Sequence, residues 1–291
     1  MARLGHNRWG KTDVRVSKIH RAEDRHDFSD ISVQVLLEGD VGPAHTEGDN
    51  SAVLPTDTMR NTIYCLAQDH LTRDLEAFGA FLCDHFLDKE EVTGAAVSIS
   101  ERLWARVAPT GFIGGGTERR IARVACGTAA LAADDPDLAT EIVAREGVGR
   151  ATSAGVEGLI VLKTTGSAFS GFPKDQFTVL PETDDRILAT SVTATWHYTS
   201  LPEDTTRTWE RARQAIVDGF FGEWSASVQH QGWIMGQAVL DAVPEIDEIE
   251  FHLPNQHHLP FDISRFGMEY AGTVFQPVAE PYGDIGFTIT R

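Results

Sequence analysis

The chain has 291 residues, in which Asp and Glu outnumber Lys and Arg by 43 to 25, for a formal net charge of -18 at pH 7. Such a charge repels nucleic acids and acidic membranes, so neither is expected as a partner. The apolar fraction of 42% fits a soluble globular chain of two domains. No segment approaches about 20 consecutive apolar residues, and the first ten residues lack an apolar signal core, so a cytoplasmic location is expected.

The first half of the chain predicts the order strand, strand, helix, helix, strand, strand. Val14 and Val16 open the first strand, and the alternation from 31 to 37 gives the second. Two helices follow from apolar residues at helical spacing, namely Met59, Ile63 and Leu66, then Leu71, Leu75, Phe78, Leu82 and Phe86. Alternation returns at 97–107, and 119–131 is the predicted fourth strand.

The second half predicts the same order. Strands are expected at 158–164, 188–198, 249–253 and 285–289, and two helices are carried by Trp209, Ala212, Ile216 and Phe220, then by Val228, Gly232, Met235, Val239 and Ala242. The acidic stretch 133–149 is the predicted joint, giving domains 1–140 and 141–291. The predicted fold class is therefore α+β, with two similar units that each place a helix pair on one face of an antiparallel four-stranded sheet. Long strands with one polar face favour closure against another copy, so a homo-oligomer is expected.

Two minor features predict structure rather than chemistry. Cys65, Cys83 and Cys126 are odd in number and lack C-x-x-C spacing, which is typical of buried free thiols in a reducing cytosol. The run 114–117, Gly-Gly-Gly-Thr, lacks the order of a phosphate-binding loop and is interpreted as a flexible turn.

Polar residues before the first strand and the first helix are candidates for proton transfer. Lys11 precedes a buried strand, where partial desolvation would suit a general base; the alternative is a solvated lysine. Thr56 and Asp57 precede a helix expected to begin near Thr58, where either can act as N-cap. A helix N-terminus also offers free backbone N–H groups to an anion.

Three residues of the second half have the chemistry to hold a planar anion. Phe169 lies in a loop rich in Gly and Ser, as a stacking platform or a packing anchor. Arg186 follows the acids at 182–185, and it either pairs with them or forms a two-pronged contact with an anion. Gln229 lies in the first turn of a predicted helix, where its amide faces solvent or matches an N–H/C=O edge of a purine.

Asn255 and His257 lie at the expected end of a strand. An imidazole exchanges protons near neutral pH, so His257 is a candidate relay residue. The alternative is a metal site of His252, His257 and His258 with a carboxylate such as Asp262, although no H-x-x-x-H spacing supports it.

These segments together resemble the urate oxidase (uricase) family, bacterial type, over nearly the whole chain. The motifs that carry the resemblance are Gly10-Lys11-x-x-Val14-Arg15, Thr56-Asp57-Thr58-x-x-Asn61-Thr62, Gly166-Ser167-x-Phe169, Glu182-Thr183-x-Asp185-Arg186 and Leu253-Pro254-Asn255-x-His257. The resemblance implies tandem tunnelling-fold (T-fold) units, assembled into a barrel-like homotetramer with sites at subunit interfaces. It also implies oxidation of urate by dioxygen and water to 5-hydroxyisourate and hydrogen peroxide in purine catabolism, with dioxygen as co-substrate and neither cofactor nor metal.

The resemblance also implies roles for individual residues. Lys11, Thr56 and His257 match the family's catalytic proton relay, and Asn255 matches the residue that faces dioxygen. Substrate-binding positions are Thr56, Asp57, Phe169, Leu180, Arg186, Val228, Gln229, Asn255 and Ile285. The chain departs from the family pattern at Pro55, before Thr56, and at Gln256, where a Lys is common. Two alternatives remain open at this point: a zinc-dependent pterin-type enzyme on the same fold, and a purine-binding relative without catalysis.

Overall fold

The computed structural model describes residues 2–127 and 150–291, and the chain divides into two units. Unit 1 comprises the described part of residues 1–155 together with Ser200–Thr208, and unit 2 comprises Val156–Thr199 together with Trp209–Arg291. The predicted joint at 133–149 and the boundary between 140 and 141 lie outside the described residues. The division into 1–140 and 141–291 therefore stays a prediction.

Unit 1 is built on an antiparallel sheet with the strand order β1-β2-β3-β4. Its strands are β1 (Trp9–Arg21), β2 (His26–Glu38), β3 (Gly94–Ala108) and β4 (Gly111–Gly127). Between β2 and β3 the chain forms α1 (Gly42–Thr46), α2 (Thr56–His70) and α3 (Leu75–Leu87). The predicted order of strands and helices is confirmed, with the short α1 as an addition.

The core of unit 1 lies between the sheet and the two long helices. Period-two alternation along β2 puts four fully buried side chains on one face, namely Ile31, Val33, Val35 and Leu37. Helices α2 and α3 face the same cluster with Met59, Ile63, Phe78 and Leu82. Each such burial stabilises the fold by about 1.5–3 kcal/mol relative to an exposed side chain.

Unit 2 repeats the arrangement with longer connections. Strand β6 (Leu188–Tyr198) neighbours β5 (Arg150–Lys163) and β7 (Ile246–His252), and β10 (Gly286–Thr290) pairs antiparallel with β7. Helices α4 (Thr205–Gly222) and α5 (Val228–Ala242) connect β6 to β7. The first residues of β5 and of α4 are counted with unit 1, and the rest of both elements with unit 2. None of the helices in the described part of the chain is long and apolar enough to cross a membrane.

Two strands of unit 2 were not predicted. β8 (Asn255–Pro260) pairs with β6 and with β9 (Phe275–Gly283), and a single 3-10 turn, Ser264–Phe266, lies between β8 and β9. The motif follows the end of β7 at His252, as expected, and it also begins a new strand at Asn255. The signal was missing because the residues of β8 are mostly polar and only partly buried, so they show no apolar alternation.

Two expectations for unit 1 are wrong. The run 114–116 is not a turn but lies inside β4, where Gly114 pairs with Trp104. A Cβ at Gly115 would lie 2.9 Å from the carbonyl oxygen of Leu103, so glycine there allows close approach of the two strands. Cys83 and Cys126 are buried free thiols as expected, but Cys65 is exposed because it lies on the outer face of α2.

Candidate active site

Phe169 and Arg186 are brought together by backbone hydrogen bonds between two loop segments. Phe169 N donates to Thr183 O at 2.8 Å, Thr183 N donates back to Phe169 O at 3.0 Å, and Arg186 N donates to Ser167 O at 2.7 Å. The Arg186 guanidinium carbon consequently lies 5.3 Å from the centroid of the Phe169 ring. An aromatic face and a guanidinium are thus adjacent, which is the combination expected for a planar anion.

The Arg186 side chain is partly withdrawn from water and incompletely paired. Its Nε atom is buried and has no hydrogen-bond partner among the described residues. Burial lowers the pKa of the guanidinium from its ordinary value, although an arginine keeps its charge in proteins. A buried donor without a partner is costly, so this nitrogen is suited to receive a ligand oxygen or nitrogen.

The acids before Arg186 do not neutralise it. Asp185 accepts hydrogen bonds from Thr165 Oγ1 and from Gly166 N, each at 2.7 Å, and these bonds lower the pKa of its carboxyl group. Glu182 instead pairs with Lys174 at 2.7 Å. The expected alternative, an ion pair between Arg186 and these acids, is not formed within the described residues. Asp185 therefore holds the loop that carries Phe169 and leaves the guanidinium charge available.

The same loop is tied to the start of α5. Ala168 N donates to Ser225 O at 2.9 Å, and Ser225 N donates to Gly166 O at 3.0 Å. Ser227 caps α5 by accepting from His230 N at 3.0 Å. The first turn of α5 is thus fixed relative to the Phe169 loop through backbone contacts on both sides.

The first turn of α5 supplies a buried and an exposed side chain to this region. Val228 is buried, whereas Gln229 is exposed and lines a surface cavity of about 450 Å³ together with Ile285. Trp233, one helical turn beyond Gln229, lines the same cavity and was not singled out from the sequence. Its position one turn along the same helix face was the available signal.

Leu180 lies in an exposed part of the chain and is 53% exposed.

Strand β8 places a buried amide beside an imidazole. Asn255 is buried, and its Nδ2 lies 3.4 Å from His257 Nδ1. The alternative metal site was predicted to combine His252 with a carboxylate such as Asp262. In the structure His252 Nε2 instead lies 2.6 Å from an Asp284 carboxylate oxygen. Within residues 2–127 and 150–291, no group of three or more His, Cys, Asp or Glu side chains lies close enough to hold a metal ion.

Lys11 and Thr56 belong to unit 1. Lys11 is partly buried in β1 opposite Val35, just before an irregularity at which Asp13 adopts a φ of 56°. Such bulges re-aim the side chains beside them.

Thr56 is the first residue of α2 and not its cap, because the N-cap is Pro55 and makes no side-chain bond. The expected capping role of Thr56 or Asp57 is therefore wrong. Asp57 instead pairs with Arg60 at 2.8 Å. Since proline fills the cap position, no side-chain cap occupies the N-terminus of α2, and the partly buried residue Thr56 begins the helix there.

The family comparison covers both units. The family described as Uricase matches residues 7–129 and 152–286. The chain is 37% identical to uricase of Arthrobacter globiformis over 289 residues, which cover 99% of this chain and 90% of that relative. Identity to uricase of Dictyostelium discoideum is 35% over 294 residues, covering 100% of this chain and 98% of that relative.

Solved structures agree with this similarity. The crystal structure of Arthrobacter globiformis uricase superposes with a TM-score of 0.90 at 37% identity, covering 100% of this chain and 96% of that one. The urate oxidase of Bacillus sp. TB-90 superposes with a TM-score of 0.80 at 21% identity, covering 98% of this chain and 100% of that one. The second likeness concerns the fold alone.

Proposed function

The chain belongs to the uricase family, and on that premise we propose that it is a urate oxidase acting in purine catabolism. The reaction consumes urate, dioxygen and water and yields 5-hydroxyisourate and hydrogen peroxide. Urate ionises readily, and its electron-rich anion can transfer an electron to dioxygen directly. The proposed reaction therefore needs no cofactor and no metal, with dioxygen as co-substrate.

One observation carries the proposal at the level of this chain. The half-buried guanidinium of Arg186 lies 5.3 Å from the Phe169 ring and keeps a buried Nε without a partner among the described residues. A stacked purine anion would supply the missing acceptor and would compensate a partly desolvated charge. Gln229 would add an amide that donates to and accepts from the purine edge.

The proposed mechanism assigns three tasks. Phe169 fixes the plane of urate, so that orientation replaces random encounter with dioxygen and water. Arg186 and Gln229 stabilise the negative charge as the ring becomes an anion. Lys11, Thr56 and His257 form a relay that removes a proton from urate and then activates the water that adds to the ring, while Asn255 faces dioxygen.

The remaining lining positions have supporting roles. Ile285 borders the same cavity as Gln229, which supports a wall role for it. Val228 is held in the first turn of α5 next to Gln229, which supports a similar role. We assign Leu180 to a further wall and Asp57 to the substrate contacts made beside Thr56.

The assembly proposed here is a barrel-like homotetramer whose sites combine residues of different copies. β1 is the terminal strand of the unit 1 sheet, and β10 is the terminal strand of the order β5-β6-β7-β10 in unit 2. Terminal strands expose backbone N–H and C=O groups that a second copy can pair with. Pairing of β1 of one copy with β10 of another is the contact that we propose brings Lys11 to the neighbouring copy's site. We place this assembly in the cytoplasm.

Oxygen uptake tests the proposal directly. The purified chain is dialysed against a strong chelator and then mixed with urate in an oxygen-electrode cell, with peroxide measured at the end. The proposal expects urate-dependent uptake at an undiminished rate, with one peroxide formed per dioxygen consumed. Activity that disappears with the chelated metal and returns with zinc would favour the zinc-dependent alternative. Urate binding without peroxide release would favour a non-catalytic purine-binding protein.

A further inference from the structure

The Phe169 ring is one member of an aromatic stack. The rings of Phe169 and Phe172 are stacked, with centroids 4.9 Å apart and planes inclined by 15°. Phe172 is half-buried, in the same loop as Phe169 and three residues later. Near-parallel offset rings at this distance attract each other beyond the area they bury. Phe172 therefore restrains the orientation of the Phe169 ring.

The stack decides which face of Phe169 is accessible. A phenyl ring has two faces, and Phe172 occupies one of them, so a planar ligand can stack only on the other. The Arg186 guanidinium carbon lies 5.3 Å from the Phe169 centroid, so the cation lies next to the platform, within reach of a ligand stacked on it.

The outer end of the stack is also occupied. Lys174 Nζ lies 5.6 Å from the Phe172 ring centroid and 2.7 Å from a Glu182 carboxylate oxygen. Both charged side chains are about half exposed, so this pair adds little energy. Its consequence is geometric, because it fills the outer side of Phe172 and ties the loop to the segment that carries Arg186.

We propose that Phe172 is a positioning residue for substrate binding: it backs the Phe169 platform, so that a planar purine anion is admitted on a single, pre-oriented face. The inference rests on the proposed function. Phe172 has no contact with substrate in this scheme and acts only through Phe169. Without it the Phe169 ring gains rotational freedom, which must be lost again each time a ligand stacks on it.

The test measures urate binding without turnover. Urate affinity is determined in the absence of dioxygen for the wild type, Phe172→Leu and Phe172→Tyr, and kcat is then measured in air at saturating urate. Losing the ordered ring should raise Kd and KM of Phe172→Leu about threefold to tenfold and change kcat by less than about twofold, because the platform contacts ground state and transition state alike. Phe172→Tyr keeps the ring and should restore the wild-type Kd. Phe172→Met replaces the leucine variant if that one does not fold.

A control and a double-mutant cycle separate positioning from general damage. Phe177→Leu alters a side chain in the same loop that is 79% exposed, and it should leave Kd and KM unchanged. In a Phe169→Leu background, Phe172→Leu should cause no further loss of affinity, because its effect is exerted through the missing ring. An unchanged Kd for a folded Phe172→Leu protein, or equal losses in the two backgrounds, would overturn the inference alone. A wild type that neither binds nor oxidises urate would overturn the proposed function as well.

Discussion

At the scale of single residues, the central feature of the candidate site is the incompletely paired charge of Arg186. Its Nε is buried without a partner in the described part of the chain, while the acids beside it are used elsewhere. This matters in a chain with a net charge of -18, which repels anions at long range. A local cation with an unused donor therefore has to supply the attraction for an anionic substrate.

Asp185 gives the site a pH dependence of known sign. Hydrogen bonds from Thr165 and Gly166 lower the pKa of its carboxyl group below the ordinary value of about 3.9. A lowered folded-state pKa means that the stabilisation is complete above the unfolded pKa and is lost as pH falls through the folded value. Because Asp185 is exposed and its contribution is screened by water, we expect the wild type to lose a small part of its thermal stability below about pH 4, and Asp185→Asn to show a Tm lower by at most about 2 °C at pH 6 with a flatter profile in acid.

Thermal unfolding between pH 3 and pH 7 checks this expectation. Asp184→Asn is the matched control, since Asp184 is a neighbouring carboxylate that is equally exposed, and this variant should give the wild-type profile. Parallel curves for wild type and Asp185→Asn throughout the acid range would show that the carboxylate does not hold the loop.

The sequence allowed the chemical roles of Phe169 and Arg186 to be predicted, but not the residues that each of them contacts. The local sequence made Phe169 and Arg186 candidates beside a structural alternative for each, and the family resemblance selected the binding role. Whether the acids would bind Arg186 depended on the direction of backbone N–H groups such as that of Gly166, which no residue pattern encodes. The role of Phe172 was equally hidden, because ring stacking depends on side-chain orientation.

At the scale of elements, α5 packs against β10 at two glycines. A Cβ at Gly236 would lie 2.3 Å from Ile289 Cδ1, and one at Gly232 would lie 2.1 Å from Phe287 Cζ. Real Cβ contacts are not so short, so the Ile289 or Phe287 side chain would have to shift within a packed interface. This close approach keeps the first turn of α5, with Gln229, beside the strand that follows Ile285.

Gly236→Ala is therefore expected to destabilise the protein by about 1–3 kcal/mol through overpacking. Urea unfolding at one fixed protein concentration measures the change. Gly222→Ala is the matched helical control, because a Cβ there meets no atom within 4 Å. Its stability should stay within about 0.5 kcal/mol of the wild type. A Gly236→Ala protein as stable as that control would show that the helix and strand separate without cost.

Strands could be predicted from the sequence where one face is buried and the other is partly exposed. They could not be predicted where no such alternation exists. Strand β2 alternates between fully buried and partly exposed residues, so its pattern was unmistakable. β8 is mostly polar, and it is fixed by pairing with β6 and β9 across distant parts of the sequence. The glycines 114–116 favoured a turn locally, but Gly114 pairs with Trp104 of β3, and the run continues β4 through a register irregularity.

At the scale of the whole molecule, the proposed site combines residues from more than one copy of the chain. Lys11 and Thr56 belong to unit 1, whereas Phe169, Arg186, Gln229 and His257 belong to unit 2. Element order predicted two similar units, and strand periodicity predicted association. The barrel-like arrangement of the copies was implied only by the family resemblance. Alternation along one strand does not specify which strand of another copy pairs with it.

Hybrid oligomers test the shared site most directly. Lys11→Met removes the proposed base, and Arg186→Ala removes the guanidinium proposed to bind the purine anion. Each variant alone should therefore lose nearly all urate-dependent oxygen uptake. Co-expression with two different tags, followed by purification on both, yields oligomers that contain both variants. If the two variants assemble at random, an intact site needs an unmutated Lys11 from one copy and an unmutated Arg186 from another. Each condition is met about half of the time, so about a quarter of the sites should be intact. We therefore predict that the doubly tagged hybrids regain about a quarter of the wild-type oxygen uptake, whereas parents mixed without subunit exchange regain none. Hybrids as inactive as their parents would contradict a site shared between copies.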